Sequence, residues 1–307
     1  MPLRFGVQGS GPFRSRREWI ELARRVEDLG YSTLSIPDHL DDQLAPGIAL
    51  MAAADATTSL RLGALVWCND YRHPVVLAKE AATLDLLSEG RLELGLGAGW
   101  MRTDYDHAGI EHDRPGVRID RMVEALQIVT GLFADGPVTF EGEHYRITAL
   151  EGTPKPVQRP RPPILIGGGG PRMLRLAGRH ADIVGVNLNL RGGAITADVG
   201  PDATAERYAE KVSWVRAGAG ERQVELNVRT YFVVFTDDRR GTAEAMAGGL
   251  GLTVDQALDS PLALVGTPAQ MADAILERRE RFGFSYVTVG AGDVDAFAPV
   301  VAELAGR

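Results

Sequence analysis

The 307-residue chain is poor in the features that stabilise secreted or membrane proteins. It has a single cysteine, Cys68, so no disulfide can form within the chain, and such sparing use of cysteine is typical of a reducing compartment. No apolar run approaches the length that crosses a bilayer, and the first residues lead into a predicted strand rather than a signal peptide. We therefore expect a cytoplasmic protein that does not bind membranes.

Positive charge is scarce as well. The chain has 33 Lys and Arg residues against 41 Asp and Glu, which gives a formal net charge of −8. No run of Lys and Arg is interleaved with aromatic residues, as it would be in a surface that follows a phosphate backbone. Nucleic acid is therefore not an expected partner, whereas a small molecule is.

The motifs of metal and dinucleotide sites are missing too. Several carboxylates and histidines lie between Asp104 and Asp113, but their spacing fits no metal-ligand pattern, and the chain has no HExxH. The GLGAG at residues 95–99 also differs from the GxGxxG of dinucleotide-binding proteins. We predict a solvated acidic loop after the fourth strand and no metal site.

Glycine, by contrast, is plentiful, and its placement is most informative in the stretch from Arg72 to Trp100. Pro74 suits the first turn of a helix with apolar residues at helical spacing. A short apolar segment, Leu92 to Leu96, then predicts a buried strand that ends at Gly97 and Gly99. Because glycine has no Cβ, a flat ligand can approach the backbone at such a strand end.

Strand-like and helix-like segments alternate along the whole chain. The predicted strands are Leu3 to Gln8, Thr33 to Ile36, Leu60 to Trp67, Leu92 to Leu96, Ile164 to Ile166, Asp182 to Val186, Val224 to Phe235 and Tyr286 to Val289. Eight βα units in about 300 residues predict an α/β fold, a (β/α)8 TIM barrel. We expect one domain over residues 1–307, with a hairpin insertion near 136–163 and a helical insertion near 241–264; a doubly wound sheet is the alternative.

Two strand ends carry residues that suit chemistry, since a TIM barrel places its active site at the carboxyl ends of its strands. Asp38 and His39 follow the second strand, where an imidazole can move protons near neutral pH and a carboxylate can either fix the imidazole or hydrogen-bond a cofactor ring. The alternative is that Asp38 caps a turn and His39 packs beside it. Residues Gly167 to Gly170 precede a helix predicted from Pro171 to His180, an arrangement suited to a phosphate or to a tight corner.

These residues together resemble a known family. Asp38-His39, the stretch RHPVVLAKEAATLDLLSEGR, the strand end LGLGAGW and the segment PPILIGGGGPRMLRLAGRHAD are similar to the luciferase-like flavin and deazaflavin oxidoreductases, in particular the branch that uses coenzyme F420. The resemblance covers most of the chain, and in the last third it depends mainly on GTPAQMADAILERRERFG. It implies a luciferase-like TIM barrel, usually a homodimer, with the cofactor ring across the strand ends.

The resemblance also implies roles for individual residues. His39 would face the reactive ring carbon as a proton donor or acceptor, with Asp38 near the polar edge of the ring. A non-proline cis peptide would lie behind the ring at Ala64-Leu65 or Leu65-Val66. The remaining cofactor contacts implied by the family are Trp67, Asn69, Gly97, Ala98, Gly99 and Trp100 around the ring and Gly168, Gly169 and Gly170 at the phosphate.

Two positions depart from the sugar-phosphate dehydrogenases of the family. Trp100 stands where those enzymes carry a glutamate, and Gln43 stands where they carry a tryptophan. Because those residues shape the hexose site, glucose 6-phosphate is not the expected substrate. Specificity is expected in the loops after Asp38, Trp100 and Asn187 and in the hairpin from Val138 to Thr148.

Three functions follow as hypotheses. The first is an F420-dependent oxidoreductase that transfers a hydride between the deazaflavin ring and a small organic substrate. The second is an FMN-dependent monooxygenase that uses reduced flavin and oxygen, since one phosphate and one tricyclic ring satisfy the same residues. The third is a flavin-binding barrel without catalysis, which the Asp38-His39 pair disfavours.

Overall fold

The computed structural model describes residues 1–194 and 197–307, and their strands form a closed parallel barrel with two small accessory sheets. The strands are β1 Arg4–Gln8, β2 Thr33–Ile36, β3 Arg61–Ala64, β4 Trp67–Cys68, β5 Leu92–Gly97, β6 Pro137–Glu141, β7 Arg146–Glu151, β8 Ile164–Gly168, β9 Ile183–Val186, β10 Glu225–Arg229, β11 Phe232–Phe235, β12 Ala263–Gly266 and β13 Phe284–Gly290. The order β3-β2-β1-β13-β10-β9-β8-β5 is closed by pairing of β3 with β5, and the two-residue β4 extends the same side. The predicted (β/α)8 barrel is confirmed, and the doubly wound alternative is wrong.

Helices surround this barrel and bury their apolar faces against it. They are α1 Arg16–Asp28, α2 Pro46–Ala56, α3 Pro74–Leu87, α4 Arg102–Ala108, α5 Pro115–Phe133, α6 Pro171–His180, α7 Ala205–Ala219, α8 Arg239–Leu250, α9 Val254–Asp259, α10 Pro268–Phe282 and α11 Val294–Leu304. Helix starts follow local rules: Ser15 caps α1, and Thr267 forms a capping box with Gln270 at α10. Within the described residues, no helix is long and apolar enough to cross a membrane.

The amino-terminal end of the barrel is closed by a polar cluster rather than by apolar packing. Arg4 bridges Glu93, at 2.7 Å, and Glu225, at 2.6 Å, while its guanidinium lies 3.8 Å from the centre of the Tyr286 ring. Arg61 also binds Glu93 at 2.7 Å. These charges pair with one another, so the buried cluster leaves none of them without a partner. In TIM barrels this end serves stability, and the active site lies at the opposite, carboxyl end.

The seventh predicted strand, Val224 to Phe235, is wrong as a single element. The chain leaves the barrel at Thr230, whose N–H donates to Thr288 O, and the N–H groups of Tyr231 and Phe232 donate to Leu262 O. It then forms β11, which pairs in parallel with β12. The helical insertion near 241–264 therefore contains α8 and α9 but ends in a strand, while the segment near 136–163 contains the predicted hairpin, β6 and β7.

Candidate active site

A cavity of about 680 Å³ opens at the carboxyl ends of the barrel strands. Its wall brings together most of the residues predicted for the site, although they come from four different strand ends. Those that line it are Asp38, His39, Leu65, Gly97, Ala98, Gly99, Trp100, Gly168, Gly169 and Gly170. Its size is in the range of small-molecule and cofactor sites.

His39 has a carboxylate partner, but it is Asp104 and not the neighbouring Asp38. His39 Nδ1 lies 2.7 Å from Asp104 Oδ2, and the imidazole is largely buried while still lining the cavity. An ionised carboxylate accepts the Nδ1 proton, so the neutral ring presents an unprotonated Nε2. The described residues offer Nε2 no hydrogen-bond partner, which leaves it free for a proton transfer in the cavity.

Asp104 is itself fixed by the elements around it. Its Oδ2 also accepts the Tyr71 hydroxyl at 2.9 Å, and its Oδ1 accepts the Leu40 N–H at 3.2 Å. Burial, together with the neighbouring Cys68 and Asp104, raises the pKa of Tyr71, so that Tyr71 stays a donor. The prediction of a solvated acidic loop is wrong here, because Asp104 is buried and faces inward from α4.

Asp38 is occupied by other groups. Its two oxygens accept from the Arg72 guanidinium at 2.7 and 3.0 Å, and Oδ2 also accepts the Cys68 N–H at 2.9 Å. Although burial acts in the opposite direction, the hydrogen bond and charge of Asp38 raise the pKa of Arg72. The predicted pairing of Asp38 with His39 is therefore wrong. Asp38 instead binds Cys68, in β4, and Arg72, just before α3, and so holds these two segments together.

The segment between β3 and β4 forms one side of the cavity. The Leu65-Val66 peptide bond is cis, at one of the two predicted positions, and both residues line the cavity. Cys68 lines it as well, and burial raises the pKa of this thiol to about 12, which keeps it protonated. Ala64, Trp67 and Asn69 are buried outside the lining of the cavity, so the prediction that Trp67 and Asn69 line the pocket is wrong.

The glycines after β5 are required by packing within the protein. A Cβ on Gly97 would lie 2.5 Å from Val66 Cγ2, and one on Gly99 would lie 1.8 Å from the Tyr105 hydroxyl. Gly99 also has a φ of +76°, which glycine adopts without a steric penalty. Because Gly97 and Gly99 have no side chain, Val66 and Tyr105 can pack directly against them. The backbone of both glycines lines the cavity.

The four-glycine run from Gly167 to Gly170 begins inside β8 and continues past its end, and its glycines differ in the space around them. A Cβ would lie 2.3 Å from the Met173 side chain at Gly168 and 2.2 Å from Leu188 O at Gly169, whereas a Cβ on Gly170 would meet only Asn189, at 3.7 Å. Gly170 is the N-cap of α6, and neither its N–H nor that of Gly169 has a hydrogen-bond partner within the described chain. Free N–H groups at a helix start favour an anion such as a phosphate.

The two positions that depart from the sugar-phosphate dehydrogenases both face this cavity. Trp100 makes an edge-to-face contact with His39, with ring centres 5.5 Å apart. Gln43 donates to Asp41 at 2.7 Å, and its carbonyl oxygen is buried without a partner among the described residues. The loops after Asp38, Trp100 and Asn187 all contribute residues to the cavity lining, as predicted. Residues 195 and 196 of the third loop lie outside the described chain. No described residue of the hairpin lines the cavity, contrary to prediction.

Sequence reasoning missed several lining or supporting residues, namely Gln8, Tyr71, Arg72, Asp104, Asn187, Arg229 and Tyr231. Gln8 ends β1 and was open to the same strand-end rule that found His39, whereas Arg229 lay inside the predicted strand Val224 to Phe235. Asp104 is one of several acidic residues in this part of the sequence. Its contact with His39 depends on how α4 is placed in the fold, which the sequence pattern does not reveal.

The fold and the cavity define a TIM-barrel protein that binds a ligand at the carboxyl ends of its strands. Comparison with known sequences gives the family: the profile described as luciferase-like monooxygenase matches residues 2–286. The chain belongs to this family.

Among curated relatives, F420-dependent glucose-6-phosphate dehydrogenase of Microbacterium testaceum (strain StLB037) is 32% identical over 190 residues, which are 59% of this chain and 56% of that one. The Amycolatopsis mediterranei (strain U-32) enzyme of the same name is 28% identical over 245 residues, covering 77% and 70%. The first match thus spans little more than half of that relative's length.

Solved structures share the fold over nearly the whole chain. The coenzyme F420-dependent tetrahydromethanopterin reductase of Methanopyrus kandleri superposes with a TM-score of 0.78 at 20% identity, covering 99% of both chains. The FMN complex of the oxygenating constituent of 3,6-diketocamphane monooxygenase from Pseudomonas putida gives 0.72 at 19% identity, covering 100% of this chain and 98% of that one. These likenesses concern the fold.

Proposed function

We propose that the protein is an F420-dependent oxidoreductase that acts on a small organic substrate. The observation that carries the proposal is the His39–Asp104 pair beside a cavity whose wall includes free backbone N–H groups at Gly169 and Gly170. The F420-dependent relatives of Microbacterium testaceum and Amycolatopsis mediterranei support this choice of cofactor.

The residues of the cavity fit such a cofactor. The start of α6 would hold a phosphate, because its N–H groups and helix dipole favour an anion. Leu65, Val66 and the backbone from Gly97 to Gly99 offer an apolar, side-chain-poor surface for a flat ring. Bound F420 would supply hydride chemistry at the deazaflavin C5.

The protein itself would manage the accompanying proton. His39 Nε2 would accept a proton from the substrate or return one to it, while Asp104 keeps the Nδ1 proton in place. The edge-to-face contact between Trp100 and the imidazole would limit rotation of the His39 ring. Because Trp100 and Gln43 replace the residues that shape a hexose site, we propose a substrate other than glucose 6-phosphate.

An FMN-dependent monooxygenase is the alternative, and the FMN complex with the same fold favours it. Titration of the purified protein with F420 and with FMN, followed by quenching of cofactor fluorescence, separates the two. We expect F420 to bind at least about tenfold more tightly, a difference of about 1.4 kcal/mol. Tighter binding of FMN contradicts the proposal, and cofactor binding without turnover over a broad substrate panel favours a non-catalytic barrel.

We also propose a homodimer. The exposed large apolar side chains include Ile48 on α2 and Val76, Leu86 and Leu87 on α3, two helices that pack beside each other. Exposed large apolar side chains on two neighbouring helices support an interface there. Light scattering on the purified protein measures the mass, and the double substitution Ile48→Glu with Leu87→Glu should yield monomers.

A cytoplasmic location is proposed as well. It is supported by the buried Cys68 thiol, the single cysteine of the chain, which is typical of a reducing compartment. Cell fractionation tests it, and recovery of the protein outside the cytoplasm would contradict it.

A further inference from the structure

Three arginines of the cavity wall, Arg118, Arg191 and Arg229, form no ion pair within 4.0 Å among the described residues. Arg118 donates to the backbone oxygens of Ala98 and Gly99, on the side proposed for the cofactor ring, whereas Arg229 lies on another strand end, that of β10. Its Nε donates to Gln8 Oε1 at 2.9 Å, and its Nη1 donates to the backbone oxygens of Thr230 and, at 3.4 Å, Thr288. Its Nη2 has no acceptor in the described chain, which leaves one donor edge of a guanidinium unused.

The surroundings of Arg229 do not neutralise it. Burial lowers the pKa of the guanidinium, although the charges of Tyr231 and Asp293 act in the opposite direction. Asp293 does not come within ion-pairing distance of Arg229. The one carboxylate among the described lining residues is Asp38, which is already bound to Arg72. Arg229 therefore has no ion-pair partner among the described residues, although the charge of Asp293 acts on it from a longer distance.

Among the described residues, Arg229 forms no hydrogen bond with those proposed to hold the cofactor, although Gln8 binds both Arg229 and Leu65 O. Arg229 Nη2 is 3.2 Å from the position that a Cβ on Gly290 would occupy, so the guanidinium lies over the end of β13. In the ring of strands, β13 stands opposite β5, whose end carries Gly97. A group bound at Arg229 would thus lie across the barrel from Gly97.

We infer that Arg229 is a specificity-determining residue that binds a carboxylate on the substrate. The inference rests on the proposed function, because it assigns this side of the cavity to the substrate. A guanidinium is suited to a planar carboxylate, and a charge-assisted hydrogen bond in a partly buried site is stronger than a neutral one. Tyr231, whose ring lies 5.0 Å from the Arg229 guanidinium, favours an aromatic or unsaturated body next to that carboxylate.

The test compares benzoate with benzamide, its neutral counterpart of nearly equal shape, by isothermal titration calorimetry on the purified protein with and without F420. We expect benzoate to bind at least about tenfold more tightly than benzamide to the native protein, as a charge-assisted contact requires. Arg229→Gln and Arg229→Met should abolish this preference, and Arg229→Lys should retain part of it. Arg102→Gln removes the same charge outside the cavity lining and should leave the preference unchanged.

Equal binding of the two probes to the native protein, or a preference that survives in Arg229→Gln, overturns the inference. A fall in F420 affinity in Arg229→Gln, with the benzoate preference intact, also overturns it and assigns Arg229 to the cofactor. Thermal unfolding of each variant shows whether it is folded, and Arg229→Lys keeps the comparison possible if the neutral variants are not. Failure of the proposed function would appear separately, as absence of F420 binding to the native protein.

Discussion

His39 Nδ1 and Asp104 Oδ2 lie 2.7 Å apart across a gap of 65 residues in the chain. The contact joins the end of β2 to α4, which are separated in the barrel by β3. It makes His39 a base of defined tautomer and makes Asp104, rather than Asp38, the residue that positions it.

Replacing Asp104 by Asn tests this relationship. The carboxylate accepts donors on both oxygens, from His39 and Tyr71 on one and Leu40 on the other, so an amide must turn its NH2 group toward a donor. We expect turnover to fall about tenfold to a hundredfold. This is no more than the smallest loss expected when the base itself is removed. F420 affinity should stay unchanged, and the ¹⁵N shifts of the His39 ring should reveal a changed tautomer. Unchanged shifts would contradict the assigned role.

Replacing His39 by Ala removes the proposed proton carrier. Turnover should drop by about a hundredfold or more, while the cofactor still binds, because general acid–base catalysis contributes on that scale. His107→Ala is the matched control, since His107 is exposed on α4 and does not line the cavity. Equal turnover in the two variants would remove His39 from the mechanism.

Asp38→Asn should act mainly on stability. The substitution breaks the ion pair between the buried Asp38 carboxylate and Arg72. We expect a loss of about 2–3 kcal/mol in the free energy of unfolding, which is less than for a fully buried pair because Arg72 is partly exposed. Asp42→Asn removes an exposed pair with Arg14 and should leave the free energy of unfolding nearly unchanged, because solvent screens that pair. Urea denaturation measures both. Equal losses would show that the Asp38 pair is as weak as the surface pair.

The glycine run allows packing and phosphate binding to be separated. Gly169→Ala would place a Cβ 2.2 Å from Leu188 O, so the backbone must shift, and we expect a loss of about 1–3 kcal/mol in stability. Gly170→Ala has ordinary space and should keep the stability of the native protein. We expect Gly170→Ala to weaken F420 binding, because its methyl group would lie beside a phosphate held at this helix start; native affinity would show that no phosphate packs against Gly170.

Glu27 offers a test of stability against pH at the closed end of the barrel. Although desolvation opposes the shift, hydrogen bonds from the N–H groups of Ser59, Thr58 and Leu60 lower the pKa of Glu27 from 4.5 to about 2. Its contribution is therefore present above pH 4.5 and is lost as the pH falls toward 2. Glu27→Gln should cost about 1–2 kcal/mol at neutral pH, after allowance for its partial exposure.

The unfolding free energy of the Glu27→Gln variant, followed by denaturation between pH 2 and 6, should approach that of the native protein as the pH falls. Glu21→Gln on the same helix changes an exposed pair with Arg17 and serves as the control. Parallel curves for the native protein and Glu27→Gln would show that Glu27 titrates normally.

The sequence was sufficient to predict those elements whose boundaries depend on neighbouring residues. Helix α6 starts and ends at the predicted residues, because Pro171 opens it and Gly170 marks its first boundary. The alternation of strands and helices was enough for the barrel, and the barrel then located His39 and the glycine runs at one end.

The errors arose where distant residues decide the outcome. Helix α4 is only seven residues long and gives little periodicity to detect. The partner of Asp38 lies 34 residues away in Arg72, and that of His39 lies 65 residues away in Asp104, so sequence proximity pointed to the wrong pair. The break after β10 depends on Thr288 and Leu262, which no local pattern reveals.

Gln8 is held at both ends of its side-chain amide: the nitrogen donates to Leu65 O at 2.8 Å and the oxygen accepts from Arg229 at 2.9 Å. The two sides of the cavity are therefore mechanically coupled through one residue. An engineer who exchanges Arg229 to admit a new substrate also releases the oxygen of Gln8, and with it the orientation of the amide that supports Leu65. Redesign of substrate choice in this barrel is thus best done on Arg229 and Gln8 as a pair.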